Sequence, residues 1–203
     1  MTSAPIVHVV DDDAQARKAV ATLVEAMAVE AREYASAEEF LETYDGRRPA
    51  CLVTDVRMSG MSGLELQEEL IARKTPLAVI VLTAFATTPG TVRAMRNGAA
   101  TLLEKPSRDD ELWEAIRDAL AADRRADLVQ KELVEARSRY ATLTPKERVV
   151  LSCISAGDPN KVIAGKLKVS VRTVEIHRQN VFHKMRARSL AELIRSVASL
   201  ERP

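Results

Sequence analysis

The chain has 203 residues, 46% hydrophobic and 29% charged, which gives enough apolar surface for packed cores and excludes a largely disordered protein. That length suits a domain of about 120 residues followed by a smaller one. A net charge of +1 hides an asymmetry: residues 1–120 carry 13 Lys/Arg against 20 Asp/Glu, and residues 121–203 carry 17 against 9. An acidic half suited to cations precedes a basic half suited to a polyanion.

In chain order, Ile6–Val10 is a short β-branched run that stops at Asp11, Asp12 and Asp13. A helix follows, with Ala16, Val20, Leu23, Val24 and Met27 three or four apart. A weaker strand is expected at Val29–Tyr34. Ser36 then caps a short helix, with Glu39 as its capping-box partner. Cys51–Thr54 is a buried-type strand ending at Asp55, and a loop with Gly60 and Gly63 leads into a helix carrying Leu64, Leu66, Leu70 and Ile71. Leu77–Thr83 is a strong strand, and a helix near Pro89–Asn97 ends at Gly98. Thr101–Leu103 is the last strand, before Glu104-Lys105-Pro106 and a helix with Leu112, Ile116 and Leu120. Five strands alternating with helices predict a doubly wound α/β fold with a parallel sheet.

Residues 122–141 lack Gly and Pro, and Val129, Leu133, Ala136 and Tyr140 make a narrow apolar stripe. This predicts a helical linker, either a dimer seam or a helix packing on its own chain. An all-helical segment follows from Leu143 to Leu200. The expected division is therefore 1–121, 122–141 and 142–203. Cys51 and Cys153 have no metal or redox spacing and read as small buried hydrophobes, as His8 reads as packing within its strand. There is no signal-peptide pattern, and the apolar stretch at 77–86 is too short to span a bilayer, so a cytoplasmic protein without a membrane partner is expected.

The chemistry gathers at strand ends. Asp11 and Asp12 follow the first strand and Asp55 the third, which parallel pairing sets side by side. Such carboxylates repel unless a cation relieves them, and Mg2+ suits oxygen donors that leave room for water and a phosphate. Thr83 and Lys105 leave the fourth and fifth strands, adding a hydroxyl and an ammonium. Together these groups suit phosphoryl transfer to an aspartate. Each alone reads as structural, Asp13 above all, as a helix-start acid.

The segments VVDDD, VTDVRMSGMSG, VLTAF and LLEKP resemble, in this order, the receiver domain of two-component response regulators over about residues 5–121. The resemblance implies the strand order 2-1-3-4-5. It makes Asp55 the phosphoacceptor and Asp12 a direct Mg2+ ligand, with Asp11 acting through water and the Arg57 backbone carbonyl completing the metal site. Thr83 and Lys105 would hold the phosphoryl oxygens, and the Lys105–Pro106 bond would be cis. The sequence departs from the pattern at Leu102, where receivers usually carry an aromatic, and at Ser59, where proline is common. The first leaves open how Thr83 is coupled onward, and the second is expected to loosen the turn.

Residues 140–203 carry 12 Lys/Arg against 5 Asp/Glu. LTPKERVVLSCISAG, NKVIAGKLKVS and VRTVEIHRQNVFHKM read as three helices, the last starting near Val171 after Ser170 as its cap. Val162, Ile163, Ala164 and Leu167 form one apolar face. Val174, Val181 and Met185 can face inward while Glu175, Ile176, Arg178 and Gln179 face outward, an arrangement that fits a major groove. These segments resemble the LuxR-type (NarL/FixJ) DNA-binding domain over about residues 142–199. By that resemblance Glu175, Ile176 and Gln179 contact bases, and Asn160, Lys161, Arg172, Thr173, Arg178 and Lys184 serve phosphates. His177 suits a phosphate contact or partial burial, and Glu147 anchors its helix or pairs locally.

The combined resemblance implies a transcription regulator rather than an enzyme. Its partners would be a sensor histidine kinase, double-stranded promoter DNA, a second copy on phosphorylation, and RNA polymerase. Two other classes share part of the pattern, an aspartyl-phosphate enzyme and a DNA-binding protein whose first domain is only a scaffold.

Overall fold

A computed structural model describes residues 4–84 and 87–200, and it divides into two compact units, residues 1–127 and 128–203. In the first, β1 (Ile6–Val10), β2 (Glu30–Tyr34), β3 (Ala50–Asp55), β4 (Ala78–Thr83) and β5 (Thr101–Glu104) form a parallel sheet in the order β2-β1-β3-β4-β5. Helices α1 (Ala14–Ala26), α2 (Ala37–Thr43), α3 (Gly63–Ala72), α4 (Thr88–Arg96) and α5 (Asp109–Ala141) connect or follow the strands.

Side chains alternate across each strand, so the sheet has two apolar faces. Val7, Val9, Cys51, Val53, Ile80 and Leu82 pack with Val20 and Val24 of α1 and Leu112 and Ile116 of α5, and Trp113 lies against this core. Val10, Leu52, Val79 and Val81 pack with Phe40 of α2, Leu64, Leu66 and Leu70 of α3, and Ala94 of α4. This is why β1, β3 and β4 read as continuous apolar runs rather than alternating ones. His8 is wholly buried among Tyr34, Phe40 and Tyr44, its Nδ1 2.9 Å from the Tyr34 hydroxyl.

Local signals set the helix starts. Asp13 caps α1 by accepting from the Gln15 and Ala16 amides, and Ser62 with Glu65 closes a capping box on α3. The box expected at Ser36 forms only by half. Ser36 accepts from the Glu39 amide, but the Glu39 carboxylate reaches past it to the Ala35 amide at 2.7 Å.

Helix α5 continues without a break through the expected linker. Its Asp123, 5% exposed, accepts from Arg48 Nε at 3.0 Å and from the Ala50 amide at 2.9 Å, so the helix stays fastened to the start of β3 beyond residue 121.

The second unit holds the end of α5, α6 (Pro145–Ser155), α7 (Asn160–Leu167), α8 (Val171–Lys184) and α9 (Leu190–Leu200). Val150, Leu151, Ile154, Ile163, Val174, Val181, Met185 and Leu193 make its core. Two sequence expectations need correction here. A further helix, α9, follows the three expected from Leu143 onward, and its Leu193 and Val197 close the core at a helical spacing. Val162 is not part of the α7 apolar face: it is 42% exposed, while Ile163 and Ala164 point inward.

Candidate functional site

The carboxyl ends of β1, β3, β4 and β5 bring the predicted acidic-site residues to one rim of the sheet. Asp55 is the last residue of β3, and β1 pairs with β3 so that Val10 lies opposite Thr54. Asp11, just beyond, is therefore beside Asp55. Lys105 comes from the far side of the rim: its Nζ donates to Asp11 Oδ2 at 2.7 Å and stands 3.0 Å from Asp55 Oδ1. Asp11, Asp55 and Thr83 are all buried. The Lys105 amide donates to the Thr83 carbonyl at 2.7 Å, which joins the exits of β4 and β5, and the Lys105–Pro106 bond is cis.

Burial pulls the Lys105 pKa down, but its bonds to Asp11 and Asp55 outweigh that and hold it above the ordinary lysine value. The result is an ammonium set between two carboxylates. Asp55 also accepts from the Arg57 amide at 2.9 Å. Close seating of α3 completes this corner: a Cβ on Gly63 would lie 2.0 Å from the Asp55 carbonyl oxygen.

Asp12 does not join that pair. It is exposed and accepts from both the Ser59 amide at 2.7 Å and the Ser59 hydroxyl at 2.9 Å. These two bonds, the backbone one first, hold its carboxyl below the usual aspartate range. A proline at 59 has no N–H to give, so Ser59 adds a tie from this loop to Asp12 that the common residue could not make. Among the described residues no three acidic, His or Cys side chains are arranged around one point as metal ligands. The donor chemistry nevertheless fits an oxygen-seeking dication, because Asp11 and Asp55 already converge on one positive group. Asp12 would be shared with Ser59.

Two neighbours of the site gave no sequence signal. Arg17 donates to the Asp11 carbonyl at 2.6 Å, and Gly63, although it closes the VTDVRMSGMSG segment, gave no sign there of its close approach to Asp55.

In the second unit α8 buries Val174 and Val181, with Met185 buried just past its end, and Ser170 caps it by accepting from the Thr173 amide. Glu175 and Gln179 are exposed, as is Ile176, at 51%. Arg178 is half-buried, and the Thr173 hydroxyl is 2.8 Å from that of Ser170. Asn160, from α7, joins Glu175, Arg178, Gln179 and Phe182 around an open cleft of about 310 Å3. Lys161 and Arg172 are exposed, and His177 is half-buried. Lys184 departs from expectation. Its Nζ is bonded at 2.6 Å to Glu147, 3% exposed, so part of its charge is engaged within the unit.

The chain matches the family described as response regulator receiver domain over residues 7–117, and that of the bacterial regulatory proteins of the luxR family over residues 141–197. It is 43% identical over 189 residues to the transcriptional regulatory protein FixJ of Azorhizobium caulinodans, covering 93% of this chain and 90% of that one. It is 39% identical to nodulation protein W of Bradyrhizobium diazoefficiens, covering 96% and 86%. Among solved structures, the response regulator StyR superposes with a TM-score of 0.89 at 36% identity, covering 97% of this chain and 99% of that one.

The chain belongs to the two-component response regulators of the FixJ/NarL type, with a receiver domain and a LuxR-type helix-turn-helix DNA-binding domain, and it controls transcription. Among the described residues no helix is long and apolar enough to cross a membrane.

Proposed function

We propose that Asp55 accepts a phosphoryl group from a sensor histidine kinase and that this event sets how the helix-turn-helix domain acts on promoter DNA. The observation that carries this reading is the Lys105 ammonium bonded to Asp11 and set against Asp55 at the rim where β1 and β3 end. An Asp55 carboxylate oxygen attacks phosphorus, an O–P bond forms, and the phosphohistidine P–N bond breaks. The electron pair leaves with the imidazole nitrogen, and the product is an aspartyl phosphate. Lys105 then turns from neutralising two carboxylates to pairing with the phosphoryl oxygens, and Thr83 offers its hydroxyl to another of them.

Receiver domains generally bind Mg2+ at this place. Here Asp11, Asp12, Asp55 and the Arg57 backbone carbonyl would hold it, and when bound it neutralises charge on the transferring group. The test is labelling by acetyl phosphate with Mg2+. Wild type should take one label and Asp55→Ala none, and equal labelling of both would refute the assignment.

On the DNA side, the exposed face of α8 supports Glu175, Ile176 and Gln179 as base-contacting residues. Asn160, Lys161, Arg172, Thr173 and Arg178 would position the backbone. In functional terms residues 1–121 receive the signal, 122–141 carry it and 142–203 deliver it. A dimer formed on phosphorylation would present two α8 helices to a two-fold site, with RNA polymerase as a further partner, in the cytoplasm. Selection of bound DNA with and without acetyl phosphate tests this. A lack of any preferred sequence in either state would sink the readout by α8.

A further inference from the structure

Helix α4 is seated mainly by polar bonds. Ala94 is fully buried, but Val92 and Met95 stand 43% and 50% exposed, so apolar burial contributes little to its docking. The bonds come from α3. Gln67, 2% exposed, donates from Nε2 to the Ala94 carbonyl at 3.2 Å and to the Asn97 carbonyl at 3.0 Å. The Ala94 carbonyl also accepts from the Ala99 amide at 3.0 Å, while the Asn97 carbonyl lies past the helix end, where partners within the helix run out. Beside it Glu68 accepts from Arg93 Nε and Nη2 at 2.8 Å each and from Asn97 Nδ2 at 3.1 Å.

A buried carboxamide is stable only when its bonds are made, yet Gln67 Oε1 has no partner among the described residues. In the opposite direction α3 begins against Asp55. Gly63 donates to the Val56 carbonyl at 3.2 Å, and its lack of a Cβ lets the helix approach the Asp55 backbone. Gln67 and Glu68 lie one helical turn beyond that contact.

We propose that Gln67 and Glu68 are positioning residues that couple Asp55 to α4 through α3. A change at Asp55 moves the first turn of α3, the clamp on the end of α4 shifts with it, and the open Gln67 Oε1 is the acceptor that the second placement of α4 satisfies. This route needs no aromatic side chain at Leu102. It rests on the reading of Asp55 as phosphoacceptor, and its physical content is a helix with two placements that one site biases.

The test is amide hydrogen exchange of residues 90–98 in the full chain, with and without beryllofluoride and Mg2+. In wild type the additive should change exchange across this segment. Gln67→Met should speed it about tenfold without additive, and Arg93→Ala about threefold. Both should blunt the response, while Glu68→Arg combined with Arg93→Glu should restore it. A purely structural role would speed exchange without additive and leave the size of the response to beryllofluoride unchanged. Acetyl phosphate labelling is measured alongside. If wild type takes no label, the reading of Asp55 fails and the coupling with it. If the variants label like wild type and residues 90–98 still respond in full, the coupling alone is overturned.

Discussion

Glu147 in the first turn of α6 and Lys184 at the end of α8 close an ion pair inside the second unit. Burial pushes the Glu147 carboxyl up, but Lys184 and the Thr144 capping bonds outweigh it and leave it below the usual glutamate range. Removing the cation would strand a buried carboxylate. Because a third of the Lys184 side chain meets solvent, Lys184→Met should cost roughly 2 kcal/mol, less than a fully buried pair would. Thermal unfolding of the second unit reads this.

Lys161 provides the contrast. It is exposed and no ion pair holds it among the described residues, so its loss should leave stability within about 0.5 kcal/mol. Affinity for every DNA sequence should fall together, and the slope of log K against log salt should shrink by about 1. A loss confined to certain sequences would mean that Lys161 reads bases.

Gly63→Ala should disturb the acidic site from outside it. The added carbon would meet the Asp55 carbonyl oxygen, which is backbone and cannot swing away. Overpacking of this kind costs about 1–3 kcal/mol. Acetyl phosphate labelling should slow as well, since Asp55 moves with its carbonyl. Unchanged melting and unchanged labelling would show that the approach is looser than described.

Acid should weaken the first unit through His8. Burial, followed by the charge of Arg32, lowers its pKa from 6.5 to about 4. Between these values the unfolded chain binds a proton that the folded chain excludes, so stability is complete above about pH 6.5 and falls as pH drops toward 4. The loss approaches roughly 3 kcal/mol. Denaturant melts of His8→Phe should show a flatter dependence in that window, and an identical slope would exclude His8 as the source.

A fragment ending at residue 121 should be less stable than one ending at 127. The shorter piece lacks Asp123, leaving Arg48 and the Ala50 amide without their acceptor. The expected difference is about 3 kcal/mol, which Asp123→Leu in the full chain should approach.

The five strands and the gathering of Asp11, Asp55, Thr83 and Lys105 at their ends could be read from sequence because each depends on a local run and its end, whereas the strand order came only with the family resemblance. β-Branched residues wrote the strands, and the chemistry stood just after them. What escaped depends on distances between segments remote along the chain. Nothing near Ser59 announces that it will hold Asp12, and nothing near Lys184 announces Glu147 across the core. Ser36 illustrates the same limit at short range, since the spacing promised a box and a small difference in carboxylate reach gave the bond to Ala35 instead.

The chain's single tryptophan, Trp113, packs on the face of the sheet shared with α1 and α5. Its indole emission therefore belongs to one half of the polypeptide. Excited at the red edge of its band, the protein reports optically on the packing of the sheet-bearing unit.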